Sequence, residues 1–393
     1  METSGPSRSM KNAHIAFISY SQFPNIGPTL PIVSVLVRRG HRVTYATSDV
    51  FASRIAATGA EVVPLPRVPP PSDLDAGYAH TVTQHALDSI EAITPFYERH
   101  RPALIVYDYI ALAGRVLAKK WNIPAIQTSP TFLHDRKAHS KQLLDPDFRE
   151  LALQYSRTLD TFLERFGIVG EEFLFYREKL NIYLFPKPLQ PCAESEDDSC
   201  LFSGRCAGEQ PWYGTWQKSS TDGRRLALVS TSTLYVQGPE HFRMCIEALS
   251  GPEWHLLLSV GEGDPARLGP LPPHCEIVQH TSHVKILPHV SVFICLGGIV
   301  TQSEAAYHGV PLILTTHGFP ELEWIAESAV RLGVGIHLRK ADMSPESLRR
   351  AATQICADPA VGTRLKKLQS MVRHEPGAEE TANRIEEYLE ACG

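Results

Sequence analysis

At ~150 residues per domain, a chain of 393 residues holds two or three domains. With 43% hydrophobic and 21% charged residues, it is large enough to bury its own core without metal or disulfide staples. A net charge of −5 and a pI near 6.4 argue against a basic nucleic-acid binder. No apolar run reaches the ~20 residues of a membrane helix.

The first residues, METSGPSRSMKNA, lack the apolar stretch of a signal peptide, so a cytoplasmic protein is expected. Residues 13–20 (AHIAFISY) form a short apolar run, predicted to be a buried strand. Residues 30–39 carry apolar side chains at helical spacing and stop at Gly40. Strands follow at 42–46, 61–65, 103–107 and 125–128, with helices at 51–58, 80–100 and 111–121. Near-continuous apolar strands alternating with helices predict a parallel sheet covered on both faces.

Residues 131–180 read as mostly helical, and 181–185 as a strand. The polar stretch from 186 to 225 reads as the crossing to a second domain. There the α/β rhythm resumes, with strands at 226–230, 254–260, 276–279, 291–295 and 311–314. Helices are expected near 239–249, 302–308, 321–331, 344–357 and 379–391. The fold class is therefore α/β, two doubly wound domains facing a cleft. The expected boundaries are 1–203, a linker at 204–225, and 226–375. Ligands of such sheets sit beyond the carboxyl ends of the strands.

The eight cysteines form no C-x-x-C pair. Cys295 in a strand and Cys356 in a helix read as small hydrophobes. A bridge among Cys192, Cys200 and Cys206 is open, but the lack of a secretion signal favours reduced thiols. The acidic run 194–198 lacks His or Cys at ligand spacing, so no metal site is expected.

Two stretches carry more than a pattern: IGPTLPIVSVLVRRGHRVTYATSDVFASRIAATGAEVVPLP (26–66) and LGGIVTQSEAAYHGVPLILTT…ESAVRLGVGIHL (296–338). With LIVYDY…GRVLAKKWNIPAIQTSP (104–130) and KPLQP (187–191), they resemble the macrolide glycosyltransferases of the two-domain GT-B type. The resemblance runs through nearly the whole chain. It implies an N-terminal acceptor domain, a C-terminal nucleotide-sugar domain, and a final helix (376–393) that packs back on the first.

The same resemblance implies working positions, and several are altered here. Asn25 stands where the family has the histidine that deprotonates the acceptor, and an amide cannot take that proton. Asp108, in the place of the aspartate that orients the histidine, is retained. The family's Trp-x-Pro-Gln segment, which stacks on the base, is here His280-Thr281-Ser282-His283. Its His-x-Gly phosphate motif is Leu296-Gly297-Gly298, with Thr301 leading into a helix N-terminus that still attracts anions. Its Asp-Gln pair for the sugar hydroxyls is Glu321-Leu322. Its Gly-Ser loop after the first strand of domain two is Thr231-Ser232-Thr233.

Because the losses concentrate on donor and base positions, the expected function is sugar-independent acid–base chemistry on an apolar, polyketide-like molecule. Cyclisation, elimination or isomerisation would fit. Asp108 is the expected acid–base group, Asn25 the hydrogen-bond donor to a developing oxyanion, and His317 the partner acid. Phe23, Pro24, Tyr78, Phe132, Glu321 and Trp324 are expected to bind substrate. No cofactor is needed on this reading. One alternative is a working O-glycosyltransferase using a UDP- or dTDP-sugar at an unusual donor site. A further one is a non-catalytic auxiliary of a true glycosyltransferase. The expected partner is an apolar small molecule, with homodimerisation left open and no nucleic acid.

Overall fold

The computed structural model describes residues 12–68, 76–133, 146–170, 172–190, 197–205, 216, 222–230, 238–261, 263–279, 283–317 and 320–392. The chain divides into two compact units. The first is Met1–Leu184, Cys192–Cys206 and Pro376–Gly393, and the second is Phe185–Pro191 and Ala207–Glu375.

The first unit runs β1 (His14–Ile18), α1 (Phe23–Ile26), α2 (Leu30–Arg38), β2 (Arg42–Thr47), α3 (Asp49–Ala56), β3 (Glu61–Pro64), α4 (Ala76–Arg99), β4 (Leu104–Asp108), α5 (Leu112–Trp121), β5 (Ala125–Ser129), α6 (Pro146–Glu164), β6 (Asn181–Tyr183) and β7 (Cys200–Phe202). The strands lie in the order β3-β2-β1-β4-β5-β6-β7, all parallel. β4 (LIVYD) is buried at every position, as expected of a strand covered on both faces. The order reverses between β1 and β4, the place at which sheets of this kind bind ligands beyond their strand ends.

The second unit runs β8 (Arg225–Ser230), α7 (Pro239–Ala248), β9 (Trp254–Ser259), β10 (Cys275–Val278), α8 (His283–Ile286), β11 (Val292–Cys295), α9 (Ile299–His308), β12 (Leu312–Leu314), α10 (Pro320–Arg331), β13 (Gly335–His337), α11 (Pro345–Ala357) and α12 (Pro359–Arg373). Its parallel sheet has the order β10-β9-β8-β11-β12-β13, so its reversal falls between β8 and β11. No helix among the described residues is long and apolar enough to cross a membrane.

The chain then returns to the first unit as α13 (Gly377–Cys392), which packs on α2. Arg38 and Arg39 both reach Glu379, and Arg39 and His41 share Glu386. The Arg39–Glu386 and His41–Glu386 contacts, 2.5 and 2.9 Å long, are partly shielded from water. Glu386→Gln is expected to lower stability by about 1 kcal/mol at low salt and by less at high salt. Urea denaturation at the two ionic strengths reads this difference.

Several expectations are corrected. The stretch 131–180 holds one long helix, α6, among its described residues, followed by a 3₁₀ turn at Phe173–Phe175. The crossing is not a plain linker, since Cys200–Phe202 adds the edge strand β7 to the first sheet. β13 and α12 were not expected from the sequence. A three-residue strand has too short a pattern to register, and Pro359 marks the first turn of a helix rather than a break. Cys200 is a free thiol, which removes it from any bridge; Cys192 and Cys206 lie outside the described residues.

Candidate active site

The chain leaves β1 through a tight turn, Gln22 N–H donating to Tyr20 O, and enters α1. Pro24, Pro28 and Pro31 each fall in the first turn of a short helical piece, where no amide donor is required. This rigid path holds Asn25 at the carboxyl edge of the sheet. The neighbouring carboxyl edge, at the end of β4, carries Asp108.

The two meet. Asn25 Nδ2 donates to Asp108 Oδ2 at 2.8 Å, and the Ile110 N–H donates to Oδ1 at 3.1 Å. Asn25 is 5% exposed and Asp108 1%. Burial pushes the Asp108 carboxyl up to about 7, against the opposing pull of those two hydrogen bonds. The group therefore changes charge near neutral pH. Tyr20 and Tyr45 both feel its charge, and burial drives both phenols upward. Thr29 Oγ1 bridges Tyr45 Oη, at 2.8 Å, to the Ile26 carbonyl and so ties the loop to β2.

Phe23 and Pro24 are half-buried beside Asn25, with the Arg54 guanidinium 5.7 Å from the Phe23 ring centre. Half-buried Tyr78 on α4 stacks on Tyr155 of α6 with ring centres 6.0 Å apart. Tyr155 meets Phe173 edge-on, and Phe173 in turn stacks with Tyr109, the residue after Asp108. Phe132 is 1% exposed, so it belongs to the packed interior.

In the second unit the same edge is built differently. Leu296 ends the β11 run and is buried. Gly297 follows at φ +81°, and a Cβ there would lie 2.4 Å from Leu314 Cδ2, so only glycine fits. Gly298 caps α9 without any side-chain bond to the helix end, and a Cβ there would meet nothing within 4 Å. The first-turn amides of this ten-residue helix, with half-buried Thr301 among them, can therefore receive an anion.

His283 lies beside this edge. Its Nδ1 is 2.8 Å from Glu304 Oε2 and its Nε2 3.2 Å from Ser230 Oγ, at the end of β8. Glu304 and Ser230 were not anticipated. The available signal was Glu304 alone, a carboxylate in the half-apolar helix IVTQSEAAYH.

His317 does not stand free. It sits in the left-handed region at φ +55°, with Nε2 3.2 Å from Nδ1 of buried His241 on α7. His241 Nε2 faces Cys245 Sγ at 3.6 Å. Burial, aided by His317, lowers His241 to about 3, and burial lowers His317 as well. This neutral pair is part of the second unit, whereas Asp108 is in the first. Next to it, Thr316 Oγ1 hydrogen-bonds Glu323 and His337. Trp324 is half-buried on α10, and Leu322 is buried. Ser232, Thr233 and His280 lie outside the described residues, as does the side chain of Glu321.

Comparison with known proteins identifies the class. Residues 246–388 match the family "Erythromycin biosynthesis protein CIII-like, C-terminal domain". The chain is 31% identical to the NDP-glycosyltransferase YjiC of Bacillus subtilis (strain 168), over 97% of this chain and 98% of that one. It is 30% identical to the demethyllactenocin mycarosyltransferase of Streptomyces fradiae, over 97% and 87%. The crystal structure of the glycotransferase of kitacinnamycin superposes with a TM-score of 0.84 at 31% identity, covering 96% of this chain and 99% of the other. The chain belongs to the GT-B glycosyltransferases, in the family of antibiotic-tailoring enzymes.

The expectation of sugar-independent cyclisation, elimination or isomerisation is corrected by these relatives, which are glycosyltransferases matched over most of their length. The chain shares its scaffold with them, and they support the alternative reading, glycosyl transfer.

Proposed function

We propose that this protein transfers a glycosyl group from a nucleoside diphosphate sugar to a hydroxyl of an apolar natural product. The observation that carries the reading is the buried Asn25–Asp108 pair at the β1/β4 reversal, inside a chain similar to glycosyltransferases from end to end. The diphosphate is assigned to the α9 amides beyond Gly297 and Gly298. His283, Glu304 and Ser230 supply hydrogen bonds to donor hydroxyls. Without a cation or imidazole at Leu296, the backbone carries most of the phosphate contact. In the first unit, Asn25 touches the acceptor oxygen and Asp108 fixes which end of the amide faces it.

Calorimetric titration of the protein with UDP and dTDP, with and without magnesium, tests this. Micromolar binding of one of them is expected. No heat at millimolar nucleotide would remove the donor site and the reading with it. A Gly298→Asp substitution is expected to weaken nucleotide binding at least tenfold, because its carboxylate would stand where the phosphate charge is received.

A further inference from the structure

This inference rests on the proposed glycosyl transfer and concerns what receives the sugar. An imidazole touching an acceptor hydroxyl can take its proton while the oxygen attacks. The amide of Asn25 cannot. Asp108 behind it has Oδ2 committed to that amide and Oδ1 to the Ile110 N–H, and almost no surface through which to meet a substrate. The acceptor oxygen must therefore shed its proton before it attacks, not during the attack.

The Asn25–Asp108 pair is suited to hold such an oxygen. With Asp108 ionised, the amide points Nδ2 at the carboxylate, as observed. With Asp108 protonated, its O–H donates to the amide carbonyl, and the amide turns its N–H groups outward. An outward N–H stabilises an oxyanion. Binding the acceptor as an anion while Asp108 takes up one proton leaves the buried pair and its ligand with no added charge. The phenols of Tyr20 and Tyr45, both neutral, face Asp108, and among the described residues no cation contributes to its shift.

A second observation concerns shape. Tyr78, Tyr155, Phe173 and Tyr109 form a chain of ring contacts from α4 across α6 to the residue after Asp108. Phe173 is buried and anchors the other three, and the half-buried rings of Tyr78, Tyr155 and Tyr109 can bind a flat ring system by stacking and edge contact.

We propose that the acceptor is a phenol, bound as its phenolate by the Asn25 amide against this aromatic wall, and not an aliphatic alcohol. A phenol with a pKa near 10 gives up its proton several hundred thousand times more readily than an alcohol close to water's 15.7. In the transfer step the phenolate oxygen forms a bond to the anomeric carbon. The bond from that carbon to the donor's phosphate oxygen breaks, and its electron pair leaves on the nucleoside diphosphate. The phenolic proton has already gone to solvent as Asp108 took one up, and Asp108 returns its proton to solvent afterwards.

The test uses the full chain, UDP-glucose and dTDP-glucose as donors, and three matched acceptor sets: hydroxycoumarins of graded acidity, benzylic alcohols, and anilines. Phenols are expected to react with kcat/KM at least ~100-fold above the benzylic alcohols, with each phenol's rate following its own ionisation. Asn25→His is expected to raise the benzylic alcohols at least tenfold and to narrow that gap. Alcohols converted as well as phenols, or anilines preferred to both, would overturn the proposal. Nucleotide binding measured beside these assays separates two failures. If a nucleotide binds and its sugar is slowly hydrolysed but no phenol is glycosylated, the acceptor inference falls and glycosyl transfer stands. If no nucleotide binds and nothing is transferred, both fall.

Discussion

Asp108→Asn is expected to make the protein more stable above pH 7 and to raise transfer to a phenol at pH 9 by up to ~100-fold over the parent. The stability effect follows from the raised carboxyl, held near 7 instead of 3.8 by burial. Between pH 4 and 7 the folded state binds a proton that the unfolded state has lost. Stability therefore falls as pH rises through this window, and the full penalty remains above it. Its size is roughly 4 kcal/mol at the upper end. An asparagine carries no charge to desolvate and removes the penalty. The variant and the parent are expected to melt together at pH 4 and to separate by several degrees at pH 8, the variant being higher. In the same variant transfer should keep rising with pH up to the acceptor's own pKa, because asparagine donates to the Asn25 carbonyl as protonated Asp108 does and never becomes charged. In the parent the rise should level off above pH 7, as Asp108 ionises. Equal melting at pH 8 would mean that the carboxyl is better solvated than its position implies. The same pH profile of transfer in both proteins would take Asp108 out of the chemistry.

Gly114→Ala is expected to destabilise the first unit by about 3 kcal/mol or more. Gly114 lies in α5 where that helix crosses β4. A methyl group there would sit 2.3 Å from Tyr107 Cβ and 2.9 Å from its Cγ. Tyr107 Cβ is fixed by a strand laddered to β1 on one side and β5 on the other, so it cannot yield alone. The helix must lift or β4 must shift, and Asp108 is the next residue. Even below its melting temperature, the variant is expected to lose most of its transfer activity. Gly362→Ala in α12 is the matched control. Its Cβ meets nothing within 4 Å, and alanine in a helix interior should add about 1 kcal/mol. Guanidinium denaturation of the pair checks both signs, and a Gly114→Ala protein as stable as the parent would refute the close β4–α5 packing.

Much of the architecture was legible because parallel strands covered on both faces announce themselves as unbroken apolar runs. AHIAFISY and LIVYD are examples, each followed by a helix of opposite periodicity. Asp108 could be singled out because a carboxylate ending such a run stands at the edge where ligands bind. Asn25 drew attention through resemblance, not through any pattern of its own. The bond between them spans 83 residues, and no local rule shows that both side chains turn inward. The contacts His283–Glu304 and His241–His317 were hidden for the same reason, joining residues 21 and 76 apart through the fold. The altered motifs pointed away from sugar transfer when weighed side chain by side chain. At Gly297–Gly298 the binding capacity lies in the backbone, which substitutions such as Leu296 leave in place.

The return of α13 to α2 also bears on how the protein comes off the ribosome. Arg39 and Glu386 are 347 residues apart, and the second unit is made between them. At ~5–20 residues per second, roughly 20–70 s pass before α2 can meet its partner. During that interval the N-terminal half waits with one flank of its sheet layer unsealed, while the second unit has all its segments and can fold first. A nascent chain of this design offers chaperones a long window on α2. A premature stop before residue 377 would leave that window permanently open, directing the product to aggregation or proteolysis even though every residue of the proposed sites had been made.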